Sequence, residues 1–356
     1  MNPIKCLARK NIQSLTPYLS ARRIGGSGEI WLNANEAPDC SVYQLEDQHF
    51  NRYPEFQPAQ LIHAYAKYAS VKNEQILSTR GADESIELLI RTFCEPNQDR
   101  IIICPPTYGM YAISAQTSAV GVCEIALDTD FNVDYKAIEQ TLLNEKNNIK
   151  IVFLCSPNNP SANMLDKVQL INLLHSAKNK ALIVIDEAYI EFCNVQTLVN
   201  LIAEHENLVI LRTLSKAFAL ASIRCGFSLA QEHIINMLAK VIAPYPIPSP
   251  VAKIATQALS TQGIQTMLTR VALLNKNRQI LYQALQALPC VDTIFCSTAN
   301  FLLVRFNDAP TVFNALHQAG IVMRDFSNQP RLHNCIRISI GSKAEMTATL
   351  SILNSL

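Results

Sequence analysis

The first candidate for chemistry is Lys216, which stands among hydroxyl residues just after an apolar run. Leu208–Thr213 has the apolar, β-branched pattern of a buried strand, so Lys216 is expected just beyond the end of that strand, where water is scarce. A lysine in such surroundings loses its proton easily, and a neutral amine can attack an aldehyde to form a Schiff base. Thr213, Ser215 and Arg224 are the donors that a phosphate dianion prefers. The pattern therefore indicates a site for pyridoxal phosphate (PLP), an aldehyde that carries a phosphate group.

Side chains suited to a pyridine ring follow two further predicted strands. Asp186 ends the run Leu182–Asp186 and can place an anion against the ring nitrogen, which makes the ring an electron sink. Tyr189 and Asn159 follow strands as well and can donate hydrogen bonds to the ring phenolate. Taken singly, each of these residues is compatible with a cap, a turn or a surface position. Their joint occurrence at strand ends favours a cofactor site.

A second phosphate contact is predicted at the start of a helix. Gly81 permits close approach of a ligand, and the backbone amides of Ala82 and Asp83 would face it. Tyr108 follows a strand and is free to lie over a flat ring, while Tyr53 offers another phenol for the phosphate. A plain glycine turn, core packing and a surface tyrosine are the respective alternatives.

Composition excludes several classes of partner. The chain has 356 residues, 49% of them hydrophobic, and a formal net charge of +1, with no basic run suited to nucleic acid. The longest apolar runs are too short to span a bilayer, and the N-terminus lacks the apolar core of a signal peptide. We therefore expect no nucleic-acid or membrane partner, and a cytoplasmic location.

Cysteine and histidine spacing argues against disulfides and metal. The eleven cysteines are odd in number and contain no Cys-x-x-Cys pair, so buried free thiols are expected. The seven histidines form no ligand-spaced cluster, so no metal site is predicted.

Helical and strand patterns alternate from about residue 76, which is typical of a doubly wound α/β sheet. Ligands of such sheets bind at the carboxyl ends of the strands, where Asp186 and Lys216 are expected. The predicted helices are 57–70, 85–93, 108–117, 134–144, 166–178, a long region at 251–288, and 311–319; the predicted strands are 100–104, 123–127, 150–155, 181–186, 208–213, 226–229, 301–306, 321–324 and 335–340.

A Pro-rich stretch, Ala243–Pro250, marks a boundary. We predict an N-terminal arm (1–45) that packs with the small domain or a partner subunit, a large PLP-binding domain (46–247) and a smaller α+β domain (248–356).

The chain resembles the fold-type I PLP enzymes of the class II aminotransferase group and, within them, the histidinol-phosphate aminotransferase family, over essentially its whole length. The lysine motif carries the resemblance to the broad group, and the N-terminal motifs carry the narrower one. The matching segments are Leu15–Tyr18, Ala21–Arg23, Trp31–Glu36, Asn51–Pro54, Arg80–Glu84, Cys155–Pro160, Asp186–Tyr189, Thr213–Phe218, Val322–Asp325 and Arg337–Gly341.

The resemblance implies a role for each matching residue. Lys216 would anchor PLP and move the substrate proton, Asp186 would hold the ring nitrogen, and Tyr189 and Asn159 would contact the phenolate. Tyr53 would reach the phosphate in the neighbouring subunit, which makes a homodimer obligatory. Tyr108 would stack on the ring; Ala82, Asp83, Thr213, Ser215 and Arg224 would hold the cofactor phosphate; and Tyr18, Asn35, Arg324 and Arg337 would bind the anionic end of the substrate.

The implied activity is transfer of an amino group between histidinol phosphate and 2-oxoglutarate in histidine biosynthesis. A guanidinium fork matches both carboxylate and phosphate, so one arginine can serve both substrates, and a second suits the larger phosphate charge. Three alternatives stay open: a threonine-phosphate decarboxylase, an aromatic or broad-range aminotransferase, and a PLP-sensing module without turnover. The last is disfavoured because such regulators carry a helix-turn-helix region before this domain, and Tyr18 and Asn35 already belong to an enzyme-like arm that leaves no room for one. A purely structural relative is disfavoured because Lys216, Asp186 and Arg224 are all present.

The chain departs from the family pattern at Ser161-Ala162, where Thr-Gly is usual. Alanine resists positive φ, so if the family backbone uses that conformation we expect this turn to relax, with altered local stability and retained chemistry.

Overall fold

The computed structural model describes residues 7–24, 28–45, 51–195 and 197–356, in which helices and strands alternate. Several helices begin after a side chain that caps them: Asp166 and Ser260, for example, accept hydrogen bonds from the first turns of the helices that they precede. The strands are β1 Ile30–Trp31, β2 Ile76–Thr79, β3 Arg100–Ile103, β4 Gly121–Glu124, β5 Ile149–Cys155, β6 Leu182–Asp186, β7 Leu208–Thr213, β8 Gly226–Ala230, β9 Val291–Ile294, β10 Phe301–Phe306, β11 Ile321–Val322, β12 Arg324–Asp325 and β13 Cys335–Ser339. The α-helices are α1 Lys10–Gln13, α2 Ala21–Ile24, α3 Ala59–Ala69, α4 Ala82–Phe93, α5 Met110–Thr117, α6 Tyr135–Leu143, α7 Lys167–Ser176, α8 Glu232–Ala239, α9 Ser249–Ala258, α10 Thr261–Leu285, α11 Ala309–Gln318 and α12 Lys343–Leu353.

A seven-stranded sheet with the order β2-β8-β7-β6-β5-β3-β4 forms the centre of the fold. Strands β7, β6, β5, β3 and β4 pair in parallel, whereas β8 is antiparallel to both of its neighbours. Cys155 pairs with Asp186 in the β5–β6 register, so these two strands end side by side. Parallel pairing therefore gathers the residues that follow β5, β6 and β7 at one edge of the sheet.

Apolar side chains cover both faces of this sheet. Ile102 belongs to one buried cluster, while Ile101 and Ile103 belong to the other, as the two-residue period of a strand requires. Tyr111 and Phe153 lie on the second face with Ile101, and the helices α4, α5 and α8 pack there. The prediction of an α/β fold with a mostly parallel sheet is confirmed.

The C-terminal part contains an antiparallel sheet with the order β12-β13-β10-β9. β1, from the N-terminal segment, pairs in parallel with β11, so Ile30 lies opposite Ile321. The domain boundaries at 45/46 and 247/248 stay a prediction.

Several elements differ from the sequence-based expectation. The strand predicted at 123–127 is Gly121–Glu124, because β4 pairs with β3 from Arg100 onward. The long helical region 251–288 is two helices, since Ser260 caps a new helix, α10. The strands β1, β2 and β9 and the helices α1, α2, α8 and α12 had no prediction.

The ten cysteines among the described residues are all free thiols, and no helix in those residues is long and apolar enough to cross a membrane.

Candidate active site

A cavity of about 430 Å³ opens at the carboxyl ends of β5, β6 and β7. Its wall combines the ends of these strands, the first turn of α4, and residues of the N-terminal segment and β13. Most of the predicted site residues line it: Tyr18, Asn35, Ala82, Asp83, Tyr108, Asn159, Asp186, Tyr189, Thr213, Ser215, Lys216, Arg224 and Arg337.

Lys216 lies three residues beyond the end of β7, and its Nζ donates a hydrogen bond to the carbonyl oxygen of Ala34 at 2.7 Å. Burial, followed by the repulsion of Arg337, lowers the pKa of this amine from 10.5 to about 8. The Nζ also lies 5.8 Å from the ring centroid of Tyr189. A large fraction of the amine is therefore neutral, and nucleophilic, in mildly alkaline solution.

Asp186 is buried at the end of β6, with both carboxylate oxygens engaged. Its Oδ1 accepts a hydrogen bond from the Ala188 amide at 3.0 Å, and its Oδ2 accepts one from the Tyr111 hydroxyl at 2.9 Å. Burial raises the pKa of Asp186 to about 6 although both bonds act in the opposite direction. The sequence reasoning missed Tyr111. Its one signal in the sequence is its position three residues after Tyr108, which puts both residues on one face of the helix predicted at 108–117.

Tyr189 stands at the centre of an amide network. Its hydroxyl accepts hydrogen bonds from Asn35 Nδ2 at 3.1 Å and from Asn159 Nδ2 at 3.5 Å. Burial raises the pKa of this phenol, so it stays protonated. Arg337 Nη1 donates to Asn159 Oδ1 at 2.6 Å, and this bond orients the amide of Asn159 toward Tyr189.

The turn that carries Asn159 keeps a left-handed residue at Ala162, with φ +61°. The Ala162 amide donates to the Asn158 carbonyl at 2.7 Å, and the Ala162 carbonyl accepts from Thr298 Oγ1 at 3.0 Å. These bonds hold the conformation that alanine disfavours. The expectation that this turn relaxes is therefore wrong.

The N-terminus of α4 forms an anion cradle beside the lysine. Gly81 precedes the helix at φ +82°, and a Cβ on it would lie 2.7 Å from Arg224 Nη2, so only glycine lets this guanidinium approach the helix start. Arg224 Nη2 pairs with Asp83 Oδ2 at 3.1 Å, and Tyr108 donates to Asp83 Oδ1 at 2.8 Å. The side chain of Asp83 thus orients Arg224 and Tyr108. Its backbone amide belongs to the first turn of α4, where amides have no partner within the helix.

Thr213 and Ser215 add hydroxyl groups to the same wall. Thr213 Oγ1 donates to Ser215 Oγ at 2.9 Å and accepts from the Ser215 amide at 3.1 Å. With the amides at the start of α4 and the Arg224 guanidinium, they form a donor set suited to a phosphate group.

A pair of arginines lies at the other end of the cavity. Arg324 on β12 and Arg337 on β13 are direct partners in the antiparallel register. Arg337 lines the main cavity, whereas Arg324 lines a small adjoining cavity of about 80 Å³, which Arg337, Tyr18 and Asn159 share. Burial lowers the pKa of both guanidiniums, and their mutual repulsion lowers that of Arg337 further.

Each guanidinium binds a backbone carbonyl and also has a buried donor that is unpaired among the described residues. Arg324 Nη2 binds the Leu19 carbonyl at 2.9 Å, and Arg337 Nη2 binds the Asn33 carbonyl at 2.7 Å. Arg324 Nη1 and Arg337 Nε are buried without an acceptor in the part of the chain that the structure describes. Unpaired buried donors on two facing cations are costly unless an anion joins them.

Tyr18 and Tyr53 occupy different surroundings. The Tyr18 ring packs edge-on against Tyr108, with centroids 6.2 Å apart, at the mouth between the two cavities. Tyr53 lies outside the cavity, 81% exposed, and stacks on Tyr245 with centroids 4.4 Å apart. Across residues 7–24, 28–45, 51–195 and 197–356 no cluster of three or more His, Cys, Asp or Glu is arranged to hold a metal ion.

The chain is similar in sequence to a known family of proteins. Residues 27–353 match the model of the family described as aminotransferase class I and II. A curated histidinol-phosphate aminotransferase of Aeromonas salmonicida is 56% identical, covering 98% of this chain and 97% of its own.

Two solved structures share the fold at low sequence identity. Histidinol-phosphate aminotransferase from Sinorhizobium meliloti, in complex with pyridoxal-5'-phosphate, superposes with a TM-score of 0.85 at 19% identity, covering 98% of this chain and 96% of that one. L-threonine-O-3-phosphate decarboxylase from Porphyromonas gingivalis gives a TM-score of 0.76 at 21% identity, covering 92% and 99%. The fold alone therefore does not separate amino transfer from decarboxylation, but the family match and the full-length relative do establish that this chain belongs to the class I and II aminotransferases.

Proposed function

We propose that this enzyme is a PLP-dependent histidinol-phosphate aminotransferase, which exchanges an amino group between histidinol phosphate and 2-oxoglutarate in histidine biosynthesis. The observation that carries the substrate assignment is the arginine pair. Arg324 and Arg337 face each other with one unpaired donor each. A phosphate ester offers up to two negative charges and three acceptor oxygens, so it can satisfy both donors and offset the repulsion between the cations.

The same pair accommodates the second substrate. Glutamate and 2-oxoglutarate carry carboxylates that match the guanidinium fork of Arg337, which lines the main cavity. Arg324, in the adjoining small cavity, would then matter more for the phosphate than for the carboxylate.

The residues of the cavity fit PLP. Asp186 would pair with the ring nitrogen, Tyr189 and Asn159 would contact the phenolate, and Tyr108 would lie against the ring. Ala82, Asp83, Thr213, Ser215 and Arg224 would hold the phosphate at the anion cradle. When bound, the cofactor supplies an aldehyde for the amino group and a ring that takes up electron density.

The protein supplies the base and the orientation. Lys216 combines a pKa of about 8 with a place in the same cavity wall as the anion cradle and Arg337, so it can hold or release a proton near neutral pH. We assign it the anchoring amine and the proton transfer at the substrate carbon. Asn35 and Tyr18 would close the substrate side, with Asn35 acting through its bond to the Tyr189 hydroxyl.

The assembly proposed is a homodimer in the cytoplasm. Tyr53 does not line the cavity, and its exposed ring stacks on Tyr245. This placement supports a role for Tyr53 at the cofactor phosphate of the neighbouring subunit.

Three parallel assays test the activity. The purified protein with PLP is offered histidinol phosphate with 2-oxoglutarate, O-phosphothreonine alone, and aromatic amino acids with 2-oxoglutarate. Glutamate formed from the first mixture, with no CO₂ from the second, supports the proposal. Release of CO₂ from O-phosphothreonine without glutamate formation from the first mixture would assign the enzyme to decarboxylation, and equal rates with aromatic amino acids would indicate a broad-range aminotransferase.

A further inference from the structure

Tyr111 is a buried phenol directly behind the cavity. It is the second residue of α5 and is fully buried. Its ring stacks on Phe153 with centroids 4.9 Å apart at 8° and meets Tyr108 edge-on at 5.7 Å. Packing on two sides fixes the ring and therefore the position of its hydroxyl oxygen.

This oxygen lies within hydrogen-bond distance of the carboxylate of Asp186. The hydroxyl donates to Oδ2 at 2.9 Å, and a phenol has a single proton to give. Burial, together with the charge of Asp186, raises the pKa of Tyr111 well above its ordinary value, so the proton stays on the phenol. Tyr111 therefore acts as a permanent donor to Asp186.

The surroundings of Asp186 disfavour its charged form, so a donor to its carboxylate matters. Burial raises its pKa, and the charged groups that act on it, Asp83 and Glu187, are acidic and raise it further. Two bonds favour the carboxylate form: one from the Ala188 amide and one from Tyr111. The thiol of Cys155 nearby is itself held neutral by burial, which raises its pKa.

We propose that Tyr111 is a positioning residue that keeps Asp186 charged and aimed at the ring nitrogen of the cofactor, and so sets the affinity for PLP. The inference rests on the proposed function, because it needs a pyridine ring against Asp186. Tyr111 itself does not line the cavity and touches the chemistry only through Asp186.

The test removes the hydroxyl oxygen of Tyr111. Tyr111→Phe keeps the ring and its stacking on Phe153 but removes the bond to Asp186. Losing a hydrogen bond that lowers the pKa of Asp186 by one unit would reduce the charged fraction of this carboxylate about tenfold at pH 5, below its pKa of about 6, so at pH 5 the dissociation constant of PLP should rise about tenfold. The constant is measured by titrating cofactor-free protein with PLP and following the visible absorbance.

Tyr68→Phe is the matched control. The Tyr68 hydroxyl also donates to a buried carboxylate, Glu191 Oε1 at 3.3 Å, but Glu191, unlike Asp186, does not line the cavity. Its removal should leave the dissociation constant of PLP unchanged. The urea midpoint of each cofactor-free variant shows that both proteins are folded.

A double-mutant cycle tests whether Tyr111 affects PLP binding through Asp186 or through packing alone. In an Asp186→Asn background, Tyr111→Phe should weaken PLP binding less than twofold further, because its target is gone. The proposal is overturned by wild-type affinity in Tyr111→Phe, by a full tenfold loss in the Asp186→Asn background, or by an equal loss in Tyr68→Phe. Wild-type protein that binds no PLP would instead refute the proposed function, so the two failures are distinct.

Discussion

The arginine pair gives the sharpest prediction, which is the effect of Arg324→Gln. This change removes one of two facing cations, and with it the buried Nη1 donor that has no acceptor among the described residues. A hydrogen bond to a charged group contributes about 1.5–3 kcal/mol. At 1.36 kcal/mol per factor of ten, kcat/KM for histidinol phosphate should fall by about 10- to 150-fold.

Glutamate should respond differently, because Arg337 retains the fork that matches a carboxylate. For glutamate we expect a loss of kcat/KM below about threefold, which is less than the worth of one ordinary hydrogen bond. The unfolding free energy of the cofactor-free variant should change by less than about 1 kcal/mol, since the lost bond to the Leu19 carbonyl is offset by relief of the repulsion between the cations.

Steady-state kinetics with each amino donor provide the assay, and Arg305→Gln is the matched control. Arg305 lies on β10 and likewise binds backbone carbonyls, those of Arg331 and His333, but lines neither cavity. It should leave both substrates unaffected. Equal losses for glutamate and histidinol phosphate, or no loss for either, would refute the assignment of Arg324 to the phosphate.

Three further predictions concern stability. Arg212→Met should lower the unfolding free energy by about 3–5 kcal/mol in urea titration, because Arg212 is buried between Glu187 and Glu191 at 2.9 Å from each. The control Arg91→Met breaks a half-exposed pair with Glu87 and should lower the unfolding free energy by less than about 1 kcal/mol. Similar losses in the two variants would contradict this account. Ala162→Gly should change stability by less than about 1 kcal/mol, since relief of the left-handed backbone offsets the lost methyl, and a loss above about 2 kcal/mol would show that the methyl dominates. Lys216→Met should stabilise the cofactor-free protein below pH 8 and lose this advantage as pH rises toward 10.5. Between these pH values the lysine is protonated in the unfolded chain but neutral in the native protein, so the stability of the wild-type protein rises with pH. A difference in unfolding free energy between the variant and the wild type that is independent of pH from 7 to 10.5 would argue against a depressed pKa.

Much of the site could be predicted because parallel strands bring their carboxyl ends to one edge. Lys216, Asp186 and Asn159 each follow a strand pattern in the sequence, and the sheet order places those strands side by side. Their chemistry could be inferred from residue type together with position.

Other features had no such signal. The Ala34 carbonyl oxygen that accepts the hydrogen bond from Lys216 belongs to a segment without regular structure. Every residue has a backbone carbonyl, so the residue type at this position does not indicate the contact. The pairing of Arg324 with Arg337 depends on the register of two short strands. The conformation of Ala162 is set by hydrogen bonds from Thr298, far along the chain, which outweigh the local preference of alanine.

The central claim is that one amine in this cavity holds the cofactor, and peptide mapping tests it most directly. The PLP-loaded protein is reduced with borohydride, digested and analysed by mass spectrometry. We predict the phosphopyridoxyl group on the peptide that contains Lys216, and its absence from a Lys216→Arg variant treated in the same way. Labelling of a different lysine, or of none in the wild-type protein, would contradict the account.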